Sequence, residues 1–175
     1  MKNTRLPRSP WLLSFNHHVV AFIAWMFLLV LSSKAQTAPG WTLTFSDEFN
    51  GTQLDLTKWN TSYMWGGCGQ RTLPGNHELE VYLDNQFEEA NGILRIRADD
   101  IHSNPYVWSG CGTFNYASGV ITTYQKFSQL YGYFEIRARL PKGKGLWPAF
   151  WMLDNQTVWP PEIDAFEVLG DAPSN

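Results

Sequence analysis

The chain is sparing with several residue types, and each shortage rules something out. Two cysteines in 175 residues, Cys68 and Cys111, are too few for a small scaffold stapled by disulfides. The four histidines are His17, His18, His77 and His102, and none has the spaced partners of a zinc centre. The longest uncharged apolar run, residues 19–31, has thirteen residues, short of the ~20 that span a bilayer as a helix. No stretch carries a long amphipathic helical pattern. Basic residues are also scarce, with 13 Lys and Arg against 16 Asp and Glu.

The run at residues 19–31 follows Lys2, Arg5 and Arg8 and precedes Ser33-Lys34-Ala35. This is the layout of a secretory signal peptide, with small residues at the two positions that a signal peptidase reads. Residues 1–35 are accordingly expected to be a signal peptide cleaved after Ala35, with an uncleaved anchor as the alternative. Removing them leaves nine basic against sixteen acidic residues, a formal charge of −7. That balance argues against nucleic acid or an anionic membrane as partner and favours a neutral substrate. In an exported chain, the natural state of Cys68 and Cys111 is a single disulfide, with two free thiols as the alternative.

Aromatic residues make up 15% of the chain, enough for a rich core and for flat surfaces that receive sugars. The periodicity of residues 36–175 is mostly two. "YFEIRARL" places Phe134, Ile136, Ala138 and Leu140 on one face, and "LRIRA" and "WTLTF" repeat the alternation. Residues 78–83 and 119–124 are further strand candidates, and Asn91-Gly92 is among the turn signals. Short alternating strands separated by Gly and Asn turns predict one all-β domain, a sandwich or barrel.

Near the end stands "WPPEIDAFEVLG", residues 159–170, with Glu162, Asp164 and Glu167 inside an apolar run. On a helix at ~100° per residue these acids fall near 0°, 200° and 140° and share no face. On a regular strand Glu162 and Asp164 share a face and Glu167 does not, but one extra residue, a β-bulge, restores it. The Glu162 and Glu167 Cα atoms would then be ~13 Å apart, and their carboxyls roughly 5–6 Å apart. That lies near the ~5–5.5 Å of a retaining glycosidase and short of the ~6.5–9.5 Å of an inverting one. Pro160, Pro161 and Gly170 leave a capped helix open as a local reading, and the all-β context favours the strand.

"EIDAFE" resembles the bulged signature of glycoside hydrolase family 16. "SDEFNGTQLDLTKWN", "GNHELEVY", "NGILRIRA" and "YGYFEIRARLPKGKGLWPAFWML" are similar to other blocks of that family, in the same order. The resemblance implies a concanavalin-like β-jelly-roll of two curved antiparallel sheets with substrate in the concave cleft. It implies Glu162 as nucleophile, Glu167 as general acid and then base, and Asp164 as a hydrogen-bond partner of Glu162. By the same match Asn76, Glu78, Trp147, Trp151 and Trp159 contact sugar, while His77 and Glu80 stand where many relatives carry Asn and Gln.

No cofactor is required for such chemistry. A structural calcium is implied by Glu48 and the Gly92 backbone, which match two of its ligands. Only eight residues follow Glu167, so residues 36–175 resemble the N-terminal portion of the family domain, a jelly-roll incomplete at its C-terminus. The expectation is a secreted, monomeric, retaining endo-β-glycanase acting on a β-1,3- or mixed β-1,3-1,4-glucan polysaccharide. The alternatives are a non-catalytic glucan-binding protein and a glycanase acting on an acidic bacterial exopolysaccharide.

Overall fold

A computed structural model describes residues 39–171. The signal-peptide expectation for residues 1–35 lies outside them. The strands among the described residues all belong to the unit Thr44–Asn175.

Among the described residues the regular structure is β-strand, with one 3-10 turn at Pro74–Asn76 and no α-helix. The strands are β1 Glu80–Tyr82, β2 Phe87–Ala90, β3 Ile93–Ile96, β4 Asp99–Asp100 and β5 Tyr106–Trp108. They continue with β6 Gly112–Phe114, β7 Tyr116–Ser118, β8 Ala149–Leu153 and β9 Glu162–Glu167. A three-stranded sheet runs β1-β7-β4, and β2–β3, β5–β6 and β8–β9 form two-stranded sheets. β1 lies parallel to β7, and every other pair is antiparallel.

Local chemistry explains the tightest of these pairings. Asn91 and Gly92 both have positive φ, 55° and 73°, as the two-residue turn of a β-hairpin requires. The turn sets Ala90 opposite Ile93 and Phe87 opposite Ile96. A second tie holds the N-terminal loop. Asn60 and Thr122 exchange backbone hydrogen bonds, and Asn60 Nδ2 donates to the Tyr124 carbonyl at 2.8 Å.

The core gathers on β1 and its neighbours. Val81 and Ala117, paired in register across β1 and β7, are 0% and 1% exposed. Burial of the Val81 side chain contributes about 2 kcal/mol. On the other face of β1, Tyr82 packs with Tyr63 and Leu73, and Trp65, Val120 and Trp151 close over this cluster.

Three strand expectations resolve differently. Residues 41–45 and 133–140 carry no strand, and residues 119–124 contribute a single bridge at Thr122. Alternation in a sequence assigns two faces to a segment, but a strand also needs a hydrogen-bonded neighbour. Among the described residues, nothing pairs in register with residues 133–140. Phe134 and Ile136 are 42% and 47% exposed.

Candidate active site

The acidic stretch is a strand with the expected irregularity. Along β8 and β9, Leu153 pairs with Glu162, Met152 with Ile163 and Trp151 with Asp164. The register then shifts, so that Phe150 meets Phe166 and Ala149 meets Glu167. Ala165 is therefore the extra residue. Because side chains alternate, Glu162, Asp164 and Glu167 lie on one face with Leu153, Trp151 and Ala149. Met152, Ile163, Phe150 and Phe166 occupy the other, where the two phenyl rings approach to 6.2 Å. A helix at this site is excluded.

All three carboxyl-bearing residues are exposed. Trp159, itself 72% exposed, donates its indole N–H to Glu162 Oε2 at 2.7 Å. The bond fixes one carboxylate oxygen and leaves the other to face a substrate.

The rest of the face is aromatic. Trp151 meets Trp65 edge-on at 6.0 Å and Tyr63 at 6.3 Å. Tyr63 in turn stacks near Trp65 and meets Tyr82 edge-on at 5.4 Å. Burial, helped by the Glu78 charge, pushes the Tyr63 hydroxyl up to about 12. Burial likewise pushes Tyr82 up, with Tyr63 and Glu80 adding to it. Both phenols therefore remain protonated donors at neutral pH.

Tyr63 and Trp65 ride on a loop that several local devices hold in place. Gly66 has φ +106°, and a Cβ there would come within 2.7 Å of the Thr72 carbonyl oxygen, so only glycine fits. Gly67 and Thr72 form a bridge, and Tyr63 N–H donates to the Gln70 carbonyl at 3.0 Å. Cys68 is bonded to Cys111, whose Cα lies 5.6 Å away, within the ordinary disulfide range. This cross-link ties the loop to the β5–β6 hairpin over 43 residues. In the chain-entropy model it stabilises by about 4 kcal/mol.

Asn76 is exposed at the end of the 3-10 turn, and Glu78 follows half-buried. Glu78 Oε2 accepts from the Leu73 N–H at 2.8 Å. Burial raises the pKa of Glu78, opposed by that backbone bond and reinforced by Glu80. Trp147, 45% exposed, stands just before β8.

The sequence singled out Trp151 but left Tyr63 and Trp65 unplaced, and it passed over Tyr82. The signal available was the pair Tyr63 and Trp65 at i, i+2 beside the Gly- and Cys-rich "GGCG", a loop that both carries aromatics and is pinned.

Glu48 and Gly92 adjoin at a separate place. The Glu48 carbonyl oxygen lies 3.5 Å from where a Cβ on Gly92 would stand. An open cavity of about 360 Å³ lies against Glu48 and is also lined by Asp47, Asp55, Lys58 and Glu89. Glu89 Oε2 is buried there without a hydrogen-bond partner. Among the described residues no three His, Cys, Asp or Glu side chains group as a metal site. What suits a hard, oxygen-liganded cation here is the Glu48 carbonyl oxygen and this orphaned carboxylate atom, and the Lys58 side chain at the same cavity opposes it.

Known proteins bear on this geometry. Residues 29–158 match the family described as beta-glucan synthesis-associated protein SKN1/KRE6/Sbg1, a match that ends before Glu162. The chain is 40% identical to the endo-1,3-1,4-beta-glycanase EglC of Rhizobium meliloti, over 76% of this chain and 31% of that protein. It is 42% identical to a beta-glucanase of Rhodothermus marinus, over 81% of this chain and 49% of that protein. Among solved structures, the catalytic domain of an endo-1,3-beta-glucanase (laminarinase) from Thermotoga petrophila superposes with a TM-score of 0.64. That match has 41% identity and covers 74% of this chain and 52% of the domain. The chain thus spans between about a third and about half of the length of these proteins.

Proposed function

Because the chain belongs to the family of the SKN1/KRE6/Sbg1 β-glucan synthesis-associated proteins, and with its glucanase relatives to glycoside hydrolase family 16, we propose that it is a secreted, retaining endo-β-glycanase cleaving β-1,3- or mixed β-1,3-1,4-linked glucan. Its fold is the all-β jelly-roll of those enzymes. The observation that carries the reading is the bulge at Ala165, which brings Glu162, Asp164 and Glu167 to one face beside Trp151.

In the proposed cycle Glu162, one oxygen held by Trp159, attacks the anomeric carbon with its other oxygen. Glu167 delivers its proton to the departing glycosidic oxygen, so that the leaving sugar departs neutral. The product of this step is a glycosyl ester on Glu162. Glu167, now a carboxylate, takes a proton from water as that water displaces Glu162, and two inversions leave the anomeric configuration unchanged. Asp164, between them on the same face, orients Glu162. Trp147, Trp159 and Asn76 are exposed and available to sugar rings and hydroxyls, while Trp151 and Glu78 are half-buried.

The test is reducing-end release from laminarin and from barley mixed-linkage glucan by the full chain. Release from either supports the reading. A folded chain that binds glucan and releases nothing overturns it in favour of a glucan-binding protein.

Residues 1–35 act as the export signal in this reading, and the mature chain is a monomer. Glu48 and the Gly92 backbone would hold a structural calcium. Chelation should then lower the melting temperature, and an unchanged melt with and without calcium sinks that assignment.

A further inference from the structure

A second pair of carboxyl groups, which the proposed cycle leaves unused, adjoins the aromatic cluster that packs against Trp151 of the acid face. Glu80 opens β1 and shares a face with Tyr82, whose hydroxyl donates to Glu80 Oε1 at 3.1 Å. Tyr82 touches Tyr63, Tyr63 touches Trp151, and Trp151 is in register with Asp164. One unbroken run of side chains therefore leads from Asp164 to Glu80. Glu78 stands beside it, and the Glu80 charge is one of the causes that raise its pKa, after burial.

None of the ion pairs among the described residues includes Glu78, Glu80, Glu162, Asp164 or Glu167. Arg71, which donates to the Tyr82 carbonyl, is committed to Asp84 at 2.7 Å. Five carboxyl groups thus border one aromatic cluster, in which Tyr63 and Tyr82 are buried and Trp65 and Trp151 are half-buried, and the proposed cycle uses three of them.

We propose that Glu80, backed by Glu78, is a charge-selectivity residue of this site, admitting an uncharged glucan and turning away a glycan chain that carries carboxylate or sulfate groups. The physical basis is asymmetric. The hydroxyls of a neutral glucan can donate to a carboxylate, a charge-assisted bond. An anionic substituent has nothing to donate, and it meets like charge beside a surface of reduced dielectric. Selectivity of this kind comes from a repulsive element built against the wrong partner. The inference rests on the β-glucanase reading above and narrows its substrate to neutral chains.

Two soluble β-1,3-glucans of matched substitution, one carboxymethylated and one hydroxyethylated, separate charge from bulk. The full chain is compared on both by reducing-end release and by affinity electrophoresis, at about 20 mM and about 300 mM salt. The parent should prefer the hydroxyethyl polymer at low salt. Glu80→Gln should raise the carboxymethyl-to-hydroxyethyl ratio roughly threefold at low salt, and by much less at high salt. Glu80→Asp, which keeps the charge, should keep the parent ratio.

An unchanged ratio in Glu80→Gln overturns the proposal while leaving the glucanase reading intact. So does a salt-independent change, or one that Glu80→Asp shares, since each assigns the effect to packing. If binding persists without turnover, the glucanase reading fails and the electrophoretic ratio decides selectivity. If the parent neither cleaves nor binds the hydroxyethyl polymer, both readings fall.

Discussion

Glu162→Ala should lower β-glucan turnover by about 10⁶-fold, the scale seen when a covalent nucleophile is removed. Azide should restore part of the lost rate and release an α-glycosyl azide. Glu162 begins β9 opposite Leu153, and its Oε2 is held by the Trp159 indole. Alanine leaves that strand register intact and opens a small gap where the nucleophilic oxygen stood. Azide can enter the gap and attack from the side that Glu162 occupied. Only one displacement then takes place, so a β-glycoside yields an α-azide. The sign of the product separates the two glutamates. A β-azide from Glu162→Ala would mean that the glycosyl ester still formed elsewhere and that Glu162 was acting as acid and base.

The second large effect concerns the bulge itself. Inserting one alanine after Ala165 should cost about 10²- to 10⁴-fold, the range for losing a general acid. Side chains on a strand alternate with period two, so one further residue sends Glu167 to the face of Phe150 and Ile163. Deleting Ala165 should act oppositely. Glu162, Asp164 and Glu167 would then stand at i, i+2 and i+4 of a regular strand, still on one face and still opposite Leu153, Trp151 and Ala149. The deletion should therefore retain far more activity than the insertion, with reducing-end release as the readout. Equal loss in both would mean that parity is not what aligns the acids.

The two kinds of information in the sequence fared differently. Parity is local. Glu162, Asp164 and Glu167 could be put on one face by counting residues, and the need for one extra residue followed from the count. The Asn91-Gly92 turn was equally legible, because positive φ at two successive residues is a local demand. Partnership is not local. "YFEIRARL" specifies two faces as clearly as "EIDAFE" does, yet β9 has β8 beside it while no strand among the described residues pairs with residues 133–140. The aromatic surface was hidden for a similar reason. Tyr63 and Trp151 lie far apart in sequence and meet because Gly66, the Gly67–Thr72 bridge and the Cys68–Cys111 bond fold the intervening loop back. Nothing in the spacing of tryptophans announces that contact. The residue classes were legible; the long-range encounters that turn them into a surface were not.

The most direct test of the acid face as a retaining site is to trap the glycosyl ester. The full chain is incubated with a 2-deoxy-2-fluoro laminaribiosyl fluoride, whose 2-fluorine slows both displacements while the good leaving group speeds the first, so that the ester accumulates. The protein is then digested and the labelled peptide sequenced by mass spectrometry. Attack by Glu162 requires one added disaccharide, in the peptide carrying "EIDAFE" and on Glu162 itself. A label on Glu167 would reverse the two roles, and turnover of ordinary glucan with no label on either would contradict the covalent route.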